Sequence, residues 1–377
     1  MDSKYMAGPW ITDHEINVVA DCMRNGWYNY DYAERFQKEF AAYHNRKYAI
    51  MTPNCTTSLH LLLTAMGIHD GDEVIVPECT WIATSAPVTY LRATPVFCDI
   101  DPVHWCLDPE SVRKSITPRT KAIIAVDLFG NMPRMDELLT IAKEYGLPLI
   151  EDAAEAVGSV YKGVRAGKFG MGSVFSFHRT KTIATGEGGM LLLDDERLYE
   201  RCMLLRDHGR GPHTKPYFNE EVTYKYMPFN LQAAMGYAQF QRVEELVGKK
   251  RWMLETYKRN LQDIEDLQFN AEPPGGVNGA WITGLVFGKS HRLGKEDAIS
   301  KLRSLNLPAR PFFYPLSSIP AYSGMKTLYQ PRNPCAYDIS SRGINLPCAF
   351  ILTEDLIVEY CAGIRNILGR GSEGKTT

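Results

Sequence analysis

The sequence predicts an α/β protein: a large domain on a mostly parallel sheet, then a smaller C-terminal α+β domain. Three observations carry this expectation. Short apolar runs alternate with helical stretches through the first two-thirds of the 377 residues. The texture changes near Phe229, where strands give way to long helical patterns. At roughly 150 residues per domain, the length accommodates two domains. The expected division is 1–245 for the large domain, 246–368 for the small one and 369–377 for a flexible tail.

Taken in order, the stretches 73–76, 94–99, 121–126, 148–151, 173–177 and 189–193 each read as a short buried strand. Between two of them, Met135, Leu138, Leu139, Ala142 and Tyr145 recur at helical spacing, and Gly146 stops the helix. Strand, amphipathic helix, strand is a βαβ unit, and several in series make a largely parallel sheet. Residues 230–264 read as one long helix. A Pro/Gly loop at 271–279 follows, then a strand at 280–287, a helix at 295–305, a strand around 309–314 and a closing helix at 353–368.

Composition narrows the function. Hydrophobic residues are 45% and charged residues 23%, which is ordinary for a globular chain. A net charge of −2 provides no global field for nucleic acid or an anionic membrane, so any anion must be held by a local site. The nine cysteines are scattered and never form CxxC, which fits a reducing, cytoplasmic setting and argues against a metal or iron–sulfur site. His208 and His213 are the nearest histidine pair and lack companions. No secretory leader is read at the start, and no apolar run reaches the 18 or so residues of a membrane span.

Residues 369–376 match the phosphate-loop pattern GxxxxGK[ST], but no helix follows for the loop to open, so the match is read as a decoy. The informative stretch is 175–190, where a strand ends in Ser176, Phe177 and His178 and is followed by Lys181 and then Gly186, Glu187, Gly188 and Gly189. A lysine shielded from water can act as an amine nucleophile and form a Schiff base with an aldehyde. Pyridoxal 5'-phosphate (PLP) is such an aldehyde, and it needs a carboxylate at its ring nitrogen. Asp152, at the C-terminal end of a predicted strand, stands where ligands of open α/β sheets gather. Thr56 and Thr57 lie at a helix N-terminus, where a phosphate is favoured, and Ser176 adds a hydroxyl. Trp81, just after another strand, supplies an aromatic face.

These residues bring a known family into view. EDAAEA at 151–156, FSFHRTKT and GEGG within 175–189, LRDHG at 205–209, NLQAAMGYAQ at 230–239 and RPFFYPL at 310–316 occur in the order seen in the DegT-type nucleotide-sugar aminotransferases. The resemblance covers nearly the whole chain. Within the family it is nearest to the members that aminate C-4 of a 4-keto-6-deoxy sugar nucleotide, the GDP-perosamine synthases among them. It implies a fold-type I PLP-dependent aminotransferase of polysaccharide (O-antigen-type) biosynthesis, alternating between the PLP and pyridoxamine forms, with L-glutamate as donor. It further implies a homodimer with shared active sites. By position, Lys181 matches the Schiff-base lysine, Asp152 the ring-nitrogen aspartate and Glu155 the residue near the phenolic oxygen. Thr56, Thr57 and Ser176 match phosphate contacts, Trp81 the stacking aromatic and Lys225 a cross-subunit contact. Trp27, Tyr28, His178, Arg310, Tyr314 and Ser317 fall where substrate is contacted.

Three departures stand out. Met227 replaces a polar residue in Lys225–Phe229, Ser317 stands where relatives frequently carry His, and the aromatic-rich run Gly26–Tyr32 replaces a small, Ser- and Gly-rich loop. Two other functions compete with this one, a PLP-dependent sugar dehydratase and a PLP-binding regulator. Deoxygenating relatives replace the lysine with His or add a cysteine cluster, whereas Lys181 is present and no cluster spacing exists. A non-catalytic PLP-binding regulator is disfavoured by the joint presence of Lys181, Asp152 and Trp81.

Overall fold

The computed structural model describes residues 5–211 and 215–370. The phosphate-loop decoy from 371 onward, most of the expected tail and His213 lie outside the described residues.

A seven-stranded sheet forms the larger half, in the order Tyr48–Thr52, Gly189–Leu193, Gly172–Ser176, Leu149–Asp152, Thr120–Val126, Glu73–Pro77 and Thr94–Cys98. The strands from Gly172–Ser176 to Thr94–Cys98 are mutually parallel. Gly189–Leu193 runs antiparallel to both its neighbours. Because successive side chains of a strand point to opposite faces, Ile75, Ile123, Met190 and Leu192 enter one core. Val74, Val76, Ile124, Leu191 and Leu193 enter another on the opposite face. Both faces are covered by helices, which is why the strands read as continuous apolar runs rather than as alternating ones.

The six predicted strands are present, and Tyr48–Thr52 is a seventh that the sequence reading passed over. Gly146 adopts φ +66°, the left-handed stop expected after Met135–Glu144. The single helix expected over 230–264 is two, Asn230–Phe240 and Val243–Leu261. The break has a tertiary cause. Arg242 leaves helical geometry, at φ −112° and ψ 19°, and its guanidinium donates to Glu15 Oε1 at 2.8 Å and to Thr12 Oγ1 at 3.2 Å. The second helix then joins the two halves. Val243, Leu246 and Val247 pack in the large-sheet core, while Met253, Tyr257 and Leu261 pack in a separate core beside a four-stranded antiparallel sheet. That sheet is ordered Leu267–Phe269, Gly284–Phe287, Gly343–Asn345 and Arg310–Pro311. The strand expected around 309–314 is only two residues long, and Pro311 and Pro315 lack the N–H that would extend it. Among the described residues, no helix is long and apolar enough to cross a membrane.

Candidate active site

The C-terminal ends of the parallel strands converge on one buried floor. Asp152 is the last residue of Leu149–Asp152 and is almost fully buried. Its Oδ2 accepts from the Thr84 hydroxyl at 2.8 Å, and its Oδ1 from the Ala154 N–H at 3.2 Å. Burial raises its pKa, against the pull of these two donors and of the Lys181 charge. A dry carboxylate of this kind fits a cationic ring nitrogen placed beside it.

Glu155 sits three residues on, where the Phe129 N–H donates to its Oε2 at 2.8 Å. Phe129 adopts a left-handed φ of +56°, rare for a bulky residue, and aims that N–H inward. Lys181 Nζ lies 3.1 Å from Glu155 Oε1, and its side chain is only 12% exposed. On its other side Nζ lies 3.5 Å from the centre of the Trp281 indole. Trp281 in turn donates Nε1–H to the Thr180 carbonyl at 2.7 Å. The sequence reading did not find Trp281, because it stands 100 positions beyond Lys181 in a loop with no periodicity of its own.

A second group of residues adjoins this floor. Asn54 caps the helix Cys55–Ala65, its Oδ1 accepting from the Thr57 N–H at 2.9 Å. Thr56 and Thr57 therefore occupy the first turn, with its outward amides and favourable dipole. Cys55, at the head of the helix, feels the charges of Asp152, Lys181 and Glu155, and burial pushes its thiol well up. Ser176 ends its strand almost buried, its hydroxyl accepting from the His178 N–H at 3.3 Å. Gly189 lets that region close. A Cβ there would stand 2.4 Å from the Asn54 carbonyl carbon, so the glycine serves backbone-to-backbone approach rather than approach to a ligand.

A nearly buried lysine amine, a buried carboxylate at a strand end and an anion-ready helix terminus lie close enough for Cys55, at the helix head, to feel the charges of Asp152, Lys181 and Glu155. Residues 9–365 match the DegT/DnrJ/EryC1/StrS aminotransferase family. The chain belongs to this family. It is 36% identical over 358 residues to a GDP-perosamine synthase of Escherichia coli O157:H7, covering 94% of this chain and 96% of the relative. It is 37% identical over 369 residues to a GDP-perosamine synthase of Caulobacter vibrioides, covering 96% and 98%. The crystal structure of 3-amino-5-hydroxybenzoic acid synthase superposes with a TM-score of 0.89 at 28% identity, covering 97% and 98% of the two chains.

The rim of this aminotransferase is more open than its floor. Trp81 is 61% exposed, its ring 6.1 Å from that of Phe313, which stands 5.4 Å from Phe129. His178 has Nδ1 2.9 Å from Thr180 Oγ1 and Nε2 3.7 Å from Glu187 Oε1. Burial lowers its pKa, and the charges of Lys181, Arg179 and Arg310 act in the same direction. Arg310 therefore lies within electrostatic reach of His178. Tyr314 is half exposed, its hydroxyl donating to Glu296 Oε1 at 3.3 Å and its face covering Lys295 Nζ at 3.6 Å.

The other expected site residues have different surroundings. Lys225 is a surface residue that pairs with Asp207 at 2.6 Å. Trp27 and Tyr28 are 59% and 99% exposed. Ser317 is buried, its N–H and hydroxyl both donating to Glu78 Oε1 at 2.8 Å.

Behind the floor lies a pair of acids that the sequence reading did not single out. Glu151 is buried and accepts from the Gly167 and Phe169 N–H groups at 2.8 and 2.9 Å, and burial still pushes its pKa up to about 7. Asp127 is buried close to it, and burial followed by the Glu151 charge raises its carboxyl well above the usual range.

Proposed function

We propose that the chain transfers an amino group from L-glutamate to a keto-deoxy-sugar nucleotide, at C-4 of a 4-keto-6-deoxyhexose, by a ping-pong reaction on PLP. The observation that carries this reading is the seating of Lys181 Nζ between Glu155 and Trp281, beside the buried Asp152. The names of the relatives support the sugar class.

The bound cofactor supplies an aldehyde carbon for exchange of amines and a ring that accepts electron density. The residues around it divide the remaining work. Asp152 holds a proton on the ring nitrogen through charge. Thr56 and Ser176 would offer hydroxyls to the phosphate, with the first-turn amides of Cys55–Ala65 behind them, while the Thr57 hydroxyl and N–H are donated to Asn54 and hold the turn in shape. Glu155 fits the phenolic oxygen. Lys181 would carry the proton between the donor's α-carbon and the cofactor's aldehyde carbon, a positioned transfer typically worth roughly 10²–10⁴-fold. Arg310 is suited to the donor's carboxylate, and Trp81 covers the ring face.

The reading extends to a homodimer acting in the cytoplasm. Trp27, Tyr28, Phe218, Val222 and Phe229 are large apolar residues left exposed, which suits burial by a second copy. Lys225 then faces the partner's pocket rather than its own. With Ser317 turned to Glu78, sugar contacts at the mouth fall to Tyr314 and Trp27–Tyr28.

The test is spectroscopic. Glutamate should convert the loaded enzyme to its pyridoxamine form, and a panel of 4-keto and 3-keto sugar nucleotides should then be presented. Return of the PLP spectrum with a 4-keto substrate is expected. Return only with a 3-keto substrate would overturn C-4, and no response to glutamate would overturn the donor.

A further inference from the structure

We propose that Trp281 is a positioning residue that receives the free amine of Lys181 whenever that amine is not bonded to the cofactor. The proposal rests on the functional reading above and adds a part to the reaction that reading does not include.

The contact is direct, with Nζ 3.5 Å from the centre of the indole face. The indole is fixed relative to the lysine, because its Nε1–H is bonded to the carbonyl of Thr180, the residue preceding Lys181. The backbone that delivers it is held as firmly. Ala280 takes a left-handed φ of +57°, the Gly279 N–H donates to Ser159 Oγ at 2.9 Å, and Asn278 Nδ2 donates to Asn131 Oδ1 at 2.8 Å. Gly279 itself is required, since a Cβ would meet the Val157 carbonyl oxygen at 2.6 Å. A loop of the second half is thus shaped to hold one aromatic face over one amine of the first.

The chemistry explains why a ring is suited here. An amine that must leave and return needs a dry resting place that does not grip it. Glu155 offers one directional hydrogen bond and is itself held by the Phe129 N–H. The indole face attracts the charge without a directional bond, so the amine can swing off it freely. A second carboxylate at the same position would hold the lysine where it rests.

The test compares Trp281→Leu, which removes the face, with Trp281→Phe, which keeps a weaker one. Cofactor-free enzyme is mixed with PLP, reduced with borohydride at timed intervals, and the Lys181 peptide is quantified by mass spectrometry. Trp281→Leu should slow covalent capture about tenfold, because the amine is then left on Glu155 alone, and Trp281→Phe, with its weaker face, about two- to threefold. In a Lys181→Ala background, adding Trp281→Leu should leave affinity for pyridoxamine phosphate unchanged, because the residue acts through the lysine. Capture at the parent rate in both variants would overturn the proposal. So would loss of pyridoxamine phosphate affinity in the double variant, which would make Trp281 a wall of the cofactor pocket. If Trp281→Leu does not fold, as judged by circular dichroism, the Trp281→Phe rate decides alone: slowing supports the proposal and an unchanged rate overturns it. Failure of the parent enzyme to be trapped at Lys181 would instead sink the functional reading.

Discussion

On the floor of the site, Asp152, Glu155 and Lys181 are almost buried, and each is held by a named partner: Thr84 and Ala154, Phe129, and Glu155 with Trp281. At the rim, Trp81 stands mostly in solvent, and Tyr314 has one long hydrogen bond. The floor is preorganised, so that little reorganisation is needed when charge develops there. The rim is left for substrate and a second copy to complete. Changes to the floor should therefore lower kcat, and changes to the rim should raise KM.

Four substitutions sharpen or break this contrast. Lys181→Ala should abolish turnover and covalent trapping of the cofactor; a variant that still turns over would remove the assignment. Asp152→Asn should keep the cofactor bound but lower kcat by on the order of 10²–10³-fold, the cost of losing one preorganised charge. Should stopped-flow traces show the half-reaction unchanged, the floor would not be the electrostatic centre described. Arg310→Gln should raise the KM for the amino donor about tenfold, by loss of a charge-assisted contact, with a smaller change in kcat. A kcat loss without a KM change would move Arg310 from the rim to the floor.

The smallest effect is expected behind the floor, in Asp127→Asn. Both acids of the Asp127–Glu151 pair are pushed up by burial, Glu151 to about 7. A raised carboxyl contributes its stability in full below the unfolded pKa and loses it as pH rises through the folded one. Unfolding free energy should thus fall between about pH 5 and 7 in the parent, and fall less in Asp127→Asn, by on the order of 1 kcal/mol. Urea titrations at the two pH values measure this directly, and an equal decline in both proteins would rule the pair out as its source.

Residues near one another in the chain were the legible ones. Asp152 and Glu155 share one short motif, and Lys181 and the glycines share another. Asn54, Thr56 and Thr57 announce a helix start. Trp281 was hidden because its partner is 100 residues away and nothing in the loop 278–281 marks an aromatic as functional. Ser317 is read as a substrate contact from the position where relatives frequently carry His, and its bond to Glu78, 239 residues earlier, is invisible in the local sequence.

The sequence by itself determined the α/β class, the six strands of the predicted sheet, the acid at a strand end and the capped helix start, because each is written in local periodicity or in a short run of residues. Only the tertiary structure decided where Val243–Leu261 begins, which aromatic meets Lys181 and which rim residues face inward. Those outcomes rest on pairs far apart in the chain, Arg242 with Glu15, Lys181 with Trp281 and Ser317 with Glu78, whose energies exist only once burial brings the partners together.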